Sequence, residues 1–198
     1  MSALAEQRFK SIDEYYTVVG AGEYRPHETS YTANANGRLI VGLLQVWPTP
    51  EEPKAIVFIT QESPAGDIAE VARSKPFDFG DGGLRTYVNS VEAQSDTRFA
   101  IQISYRGGCL PSSDEYIFSR QNKYWVVSGR YSTRYSCPED DESVGDTRTE
   151  IQSNFLTGKI VTLEYKQGKP TKKTIKHKAF RKFSLEDFDP FQEIYGPR

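Results

Sequence analysis

The chain has 198 residues, which fits one domain of ordinary to large size, able to bury roughly two thirds of the surface its unfolded form exposes. Hydrophobic residues make up 37%, and 12 Tyr, 11 Phe and 2 Trp are an aromatic share that favours strands and argues against disorder. Net charge is −2, from 25 basic against 27 acidic residues, so no global field recruits nucleic acid or an anionic membrane; no run approaches the roughly 20 apolar residues of a membrane helix.

In chain order, Leu4, Phe9, Ile12, Tyr15 and Tyr16 fall near helical spacing and predict a short amphipathic helix over 4–16. Residues Gly20 to Gly37 lack periodicity and read as a loop or an irregular first strand. Arg38 to Trp47 is apolar on both faces, a strand for the middle of a sheet; three prolines between Pro48 and Pro53 force a turn, and Ala55 to Thr60 pairs back. Ile68 to Ala72 is a weaker strand, Pro76 to Gly83 a glycine-rich connection, and Leu84 to Val91 is extended again. Phe99, Ile101, Ile103 and Tyr105 alternate with smaller or polar residues, a strand with one buried face, and Tyr116 and Phe118 keep that period. Gln121-Asn122 reads as a two-residue hairpin turn, followed by strands over Tyr124 to Tyr135 and Thr147 to Phe155, a Thr157-Gly158 turn, Lys159 to Lys166, a Gln167-Gly168 turn, and Lys169 to Phe183. The expected fold is a mainly β, antiparallel meander over 38–183, forming a sandwich or a propeller-blade-like sheet, in a single β-rich domain spanning 1–198.

Two cysteines, Cys109 and Cys137, lie in polar loop contexts, and an even pair in a β-rich domain predicts a disulfide. On the chain-entropy model it would stabilise the fold by about 3.5 kcal/mol. Such a bond implies an oxidising compartment. The amino-terminal Met-Ser-Ala-Leu-Ala-Glu-Gln has neither the basic nor the apolar region of a signal peptide. The reading is a periplasmic protein whose leader is absent from this chain, with the cytoplasm as the alternative.

The segments Lys75-Pro-Phe77-Asp-Phe-Gly80-Asp-Gly-Gly83, Ile101-Gln-Ile-Ser-Tyr105-Arg-Gly107-Gly108, Tyr116-Ile-Phe118-Ser-Arg120-Gln-Asn-Lys-Tyr124-Trp125-Val-Val-Ser-Gly129 and Ser153-Asn154-Phe155-Leu156-Thr157-Gly158-Lys159 together span roughly Ile68 to Ile160. That run resembles a family of exported all-β proteins of Gram-negative bacteria, some of whose members resemble immunity partners of secreted toxins. The resemblance implies a single β domain and a protein partner. Proteins resembling this family often carry an Asp-rich, calcium-loop-like turn before the first long strand. This chain has Asn34-Ala-Asn36-Gly37 there, and two carboxamides do not offset the dehydration of a hard cation, so a plain turn and no metal are expected.

No catalytic residue is expected, and no cofactor. His27 follows Pro26 in a loop and His177 stands between Lys176 and Lys178, far from it in sequence and without metal-ligand spacing. There is no Gly-x-Ser-x-Gly elbow, phosphate-cradling loop or His-Glu-x-x-His, and Asp78 with Asp81 belongs to a turn. Three features suit binding instead. Glu139, Asp140, Asp141 and Glu142, extended by Asp146, concentrate five carboxylates in eight residues, a lobe that would steer toward a basic partner surface. From Lys159 to Lys182 nine basic residues stand against Glu164 alone, which suits a protected sheet edge or an anion-binding ribbon. Alternation puts Tyr131 and Tyr135 on one face with Trp125, Tyr105 sits on a neighbouring strand and Tyr124 points to the opposite side; Arg130 and Arg134 follow the same hairpin and would rim such an aromatic patch. The expected function is therefore non-enzymatic: an immunity protein that occludes a secreted effector through the acidic lobe and the Arg130, Tyr131, Arg134 and Tyr135 strand. The alternatives are a cell-envelope structural or glycan- or lipid-binding module, and a cryptic hydrolase gathering His27 or His177 with carboxylates.

Overall fold

The structure is a computed structural model and describes residues 7–20, 24–49, 52–78, 85–106, 112–135 and 147–190. Its elements are β1 (Arg8–Phe9), α1 (Ile12–Gly20), β2 (Tyr24–Asn34), β3 (Gly37–Thr49), β4 (Glu52–Glu62), β5 (Ile68–Arg73), β6 (Phe77–Asp78), β7 (Arg85–Ser95), β8 (Arg98–Arg106), β9 (Ser112–Gln121), β10 (Tyr124–Tyr135), β11 (Thr147–Asn154), β12 (Lys159–Lys166) and β13 (Lys169–His177), then a 3-10 turn at Leu185–Asp187. The molecule is mainly β and antiparallel, with a single short helix among the described residues. A six-stranded sheet runs β1-β5-β4-β3-β2, with β6 paired to β4, and a seven-stranded meander runs β7 through β13 in chain order.

Alternation along β3 and β4 builds two cores from one pair of strands. Leu39, Val41 and Leu43, with Ala55, Val57 and Ile59, face the second sheet, where they meet Phe99, Ile101, Ile103, Tyr116, Phe118, Trp125 and Val127. Ile40, Leu44, Val46, Ile56 and Phe58 face the other way, onto α1 and Phe9. This is why Arg38 to Trp47 is apolar on both faces, and β3 lies inside its sheet between β2 and β4 as expected. Gly42 belongs to the helix side, where a Cβ would stand 2.4 Å from Phe58 Cζ. Its missing side chain admits the ring that packs on Tyr15 at 5.3 Å.

The helix begins later than its spacing suggested. Ser11 Oγ accepts from Glu14 N–H at 3.2 Å, and the Glu14 carboxylate accepts from Lys10 N–H at 2.6 Å. This Ser11-x-x-Glu14 capping pattern sets the start at Ile12, while Phe9 is consumed by a short strand pairing with Ile68. The expected loop or irregular first strand is β2, irregular where its register shifts between Pro26 and Glu28. At the Asn34–Gly37 turn, Asn34 Oδ1 accepts from Asn36 N–H at 2.9 Å and its amide donates to Gln61 at 3.0 Å. Gln121 pairs with Tyr124, so the hairpin turn is Asn122-Lys123 rather than Gln121-Asn122, with Asn122 at φ 56°. Gln167 and Gly168, at φ 51° and 73°, form the turn read at that position.

The two sheets meet along β2 and β7, where Ala93 N–H donates to Ser30 Oγ at 3.0 Å. The whole curls into a sandwich-like half-barrel, and its other side is closed by the carboxyl-terminal strap. The strand expected over Lys169 to Phe183 therefore stops at His177. Had it continued along the sheet edge, Phe183 would stand in water. Instead the chain turns inward and buries Phe183, Leu185 and Phe188 in the main core. Val127 N–H donates to Phe183 O at 2.9 Å and Lys75 N–H to Glu186 O at 3.2 Å, so the strap is bonded to β10 of one sheet and to the β5–β6 connection of the other.

Candidate partner-binding face

Strand β10 carries the candidate residues, and one irregularity decides where they point. Val127 pairs with Phe118 but Gly129 pairs with Ile117, so a bulge at Ser128 inverts the alternation downstream. Trp125 and Val127 face the core, together with Phe99 and Phe118. Tyr131, opposite Glu115, faces the outer side, and Arg130 and Arg134 take the inner one. The one-face aromatic group expected from alternation is thus divided: Trp125 is a core residue whose ring lies tilted against Phe99, centroids 5.3 Å apart, and Tyr131 and Tyr135 are on the opposite face of the sheet. The side chain of Tyr105 lies outside the described residues.

On the inner face Asp114 is 3% exposed and gathers its partners from the adjacent strand. Arg134 grips it with one nitrogen at 2.9 Å from each carboxylate oxygen, Ser132 Oγ donates to it, and Arg130 Nε stands 4.0 Å away. A buried carboxylate is tolerated only when charge and hydrogen bonds both compensate its desolvation, and here two guanidiniums and a hydroxyl do so. The bulge itself is held by Ser128, whose hydroxyl meets Ile117 O at 3.1 Å and Ser119 Oγ at 2.8 Å.

On the outer face Glu150 is the hub. It accepts from Tyr165 Oη at 3.1 Å and from Tyr131, and Arg148 lies 2.8 Å from its other oxygen. The Arg148 guanidinium stacks on the Tyr165 ring, 4.5 Å from its centroid, and hydrogen-bonds Tyr135. Burial, then the hydrogen bond to Glu150, pushes the Tyr131 phenol up to about 12, so it remains a neutral donor throughout the physiological range. The inner network therefore ties β10 to β9 and the outer one ties it to β11 and β12, near the point where the chain leaves β10 at Tyr135 and re-enters at Thr147, with Tyr135 paired to Arg148. The lobe residues Glu139, Asp140, Asp141, Glu142 and Asp146 lie outside the described residues. So do Cys109 and Cys137, and no disulfide is present among the described residues.

Asp114, Ser132, Arg148, Glu150 and Tyr165 escaped the reading of the sequence, because cross-strand partnership depends on register. The Arg148-x-Glu150 spacing, which puts both on one face of a strand, was the available signal. The basic ribbon divides as well. β13 is the edge of its sheet and carries Lys169, Lys172, Lys173 and Lys176 on a largely exposed strand, the arrangement that discourages edge-to-edge pairing. His177 opens onto a groove with Lys178 and Lys182, and no carboxylate is among its described lining residues. The side chain of His27 lies outside the described residues, and no cluster of three or more His, Cys, Asp or Glu with metal-binding geometry occurs among them. No described helix is long and apolar enough to cross a membrane. Compared with known proteins, the chain matches no family model, no curated protein and no solved structure.

Proposed function

We propose that this protein is a non-enzymatic binding module, an immunity protein that neutralises a secreted bacterial effector by occluding its active site. The observation that carries the reading is the β10–β11 hairpin. Its connecting segment holds five carboxylates, and its root is held on one face by Arg134 and Asp114 and on the other by Arg148, Glu150 and Tyr165. An acidic segment rooted on a fixed ladder loses less freedom on docking than one on a loose tether, and its field speeds encounter with a basic cleft. Exposed Tyr135 at the end of β10 supplies an aromatic anchor beside it. The resemblance to exported bacterial proteins agrees with a periplasmic setting, in which Cys109 and Cys137 would be bonded.

The test is binding to the product of the adjacent gene, measured as a function of salt. The combined E139Q, D140N, D141N and E142Q variant is expected to lose at least tenfold in association rate and to flatten the salt dependence. Unchanged affinity would reject the lobe as the contact.

A second reading, a glycan-binding envelope module, draws on a groove of about 530 Å³ on the outer face, lined among others by Arg98, Glu115, Tyr131, Gln152 and Asn154. Planar amides, a carboxylate and a phenol are the groups that hydrogen-bond sugar hydroxyls. Saturable binding of cell-wall oligosaccharides, lost in Q152A, would favour it over the immunity reading.

A further inference from the structure

A second groove, of about 580 Å³, lies at the other end of the β10–β12 ladder, between the turn that follows β11 and the start of the strap. Its volume is that of a small-molecule cleft. Three features of its wall point to one ligand chemistry. Phe155 and Phe180 form a tilted ring pair, centroids 4.5 Å apart, flanked by Val126 and by Leu156, which is 52% exposed. The ionisable lining is His177, Lys178 and Lys182, with no acidic residue among the described lining, inside a stretch where nine basic residues face one Glu. The remaining polar lining, Gln121 and Thr157, offers neutral hydrogen-bond donors.

The groove is also built rather than incidental. Lys178 N–H donates to Gly158 O at 2.9 Å, and a Cβ on Gly158, at φ +75°, would stand 2.5 Å from Lys178 O. Glycine is thus required for the turn to approach the strap this closely, and the approach fixes the spacing of the two walls. Asn154 Oδ1 secures the same turn, accepting from Leu156 N–H at 3.0 Å and Thr157 N–H at 2.9 Å. Edge protection accounts for the lysines along β13, which ends at His177; Lys178 and Lys182 lie beyond it, in the segment that forms the groove wall.

We propose that this groove binds an amphipathic anion, a phosphate or carboxylate joined to an aromatic or acyl group, with the apolar part against Phe155, Phe180 and Leu156 and the charge among His177, Lys178 and Lys182. The site is separate from the partner face and does not depend on the immunity reading. Two probes distinguish the sources of this chemistry: phenyl phosphate for a soluble aromatic anion and dihexanoyl phosphatidic acid for a lipid headgroup.

The experiment is amide-resolved NMR titration of the full chain with each probe, and with benzyl alcohol as the uncharged control. One of the two anions is expected to shift resonances of Gln121, Phe155–Gly158 and His177–Lys182 saturably, and the tighter of the two names the source. K178Q/K182Q, both at exposed positions, is expected to weaken binding at least tenfold while the rest of the spectrum keeps its dispersion. The proposal is overturned if neither anion moves these resonances, if the double variant binds as tightly as the parent, or if benzyl alcohol binds equally well.

Discussion

Tyr131 shows how a single side chain reports on its surroundings. Its phenol is held to about 12, against an ordinary value near 10, because burial and the Glu150 carboxylate both disfavour the phenolate. The sign of the linkage follows. In the unfolded chain Tyr131 ionises near pH 10, whereas the folded protein keeps its proton until about 12, so its contribution to stability is complete below pH 10 and is lost as pH rises through that window. Tyr16, on α1 and buried against Phe58, is also pushed up to about 12, mainly by burial, and acts in the same sense. Ultraviolet titration should therefore resolve tyrosines that ionise late, and Y131F should remove one of them. Urea midpoints taken between pH 9 and 12 should fall less steeply in Y131F than in the parent. A Tyr131 that titrates with the exposed tyrosines would contradict the Glu150 hub.

At the scale of elements, strands were legible where alternation was clean, as in Phe99, Ile101 and Ile103, and boundaries were not. The reasons are specific. The helix start was written in Ser11-x-x-Glu14, but the wider spacing of Leu4, Phe9 and Ile12 masked it. The faces of Tyr131 and Tyr135 were inverted by a one-residue bulge at Ser128, which period-two counting does not register. Gly42 is the counterpart inside a strand: nothing in its neighbours Val41 and Leu43 announces that Phe58 will occupy the space where a side chain would be. Gly42→Ala should overpack the α1 side and cost about 2 kcal/mol in urea unfolding. Trimming the ring with Phe58→Leu should remove most of that penalty, so that the double-mutant cycle shows a coupling of at least about 1 kcal/mol. Additive costs would mean that the strain lies elsewhere, for instance against Thr29, whose Cγ2 is 2.8 Å from the same position.

For the whole molecule, closure depends on the strap. Phe188 is 1% exposed and meets three rings edge-on, Phe77 at 5.6 Å, Tyr116 at 5.1 Å and Phe118 at 5.0 Å, from strands of both sheets. It joins parts of the chain that the meander alone leaves apart. Phe188→Ala should cost about 3–5 kcal/mol, a large share of the stability of an ordinary domain. The measurement is a denaturant midpoint followed by Trp125 fluorescence. A loss below about 1 kcal/mol would mean that the half-barrel closes without the strap.

The antiparallel β class, the central place of Arg38 to Trp47, the turn at Gln167-Gly168 and the basic edge were determined by residue type and period, because these act over a few neighbouring positions. The tertiary structure alone decided the register that pairs Arg134 with Asp114 and Arg148 with Glu150, the bulge that separates Tyr131 from Trp125, and the inward turn of the chain after His177. Those outcomes follow from burying Phe183, Leu185 and Phe188 and compensating Asp114 across distant segments. Contacts of that kind have no local sequence signature, since their energy exists only once the two sheets face each other.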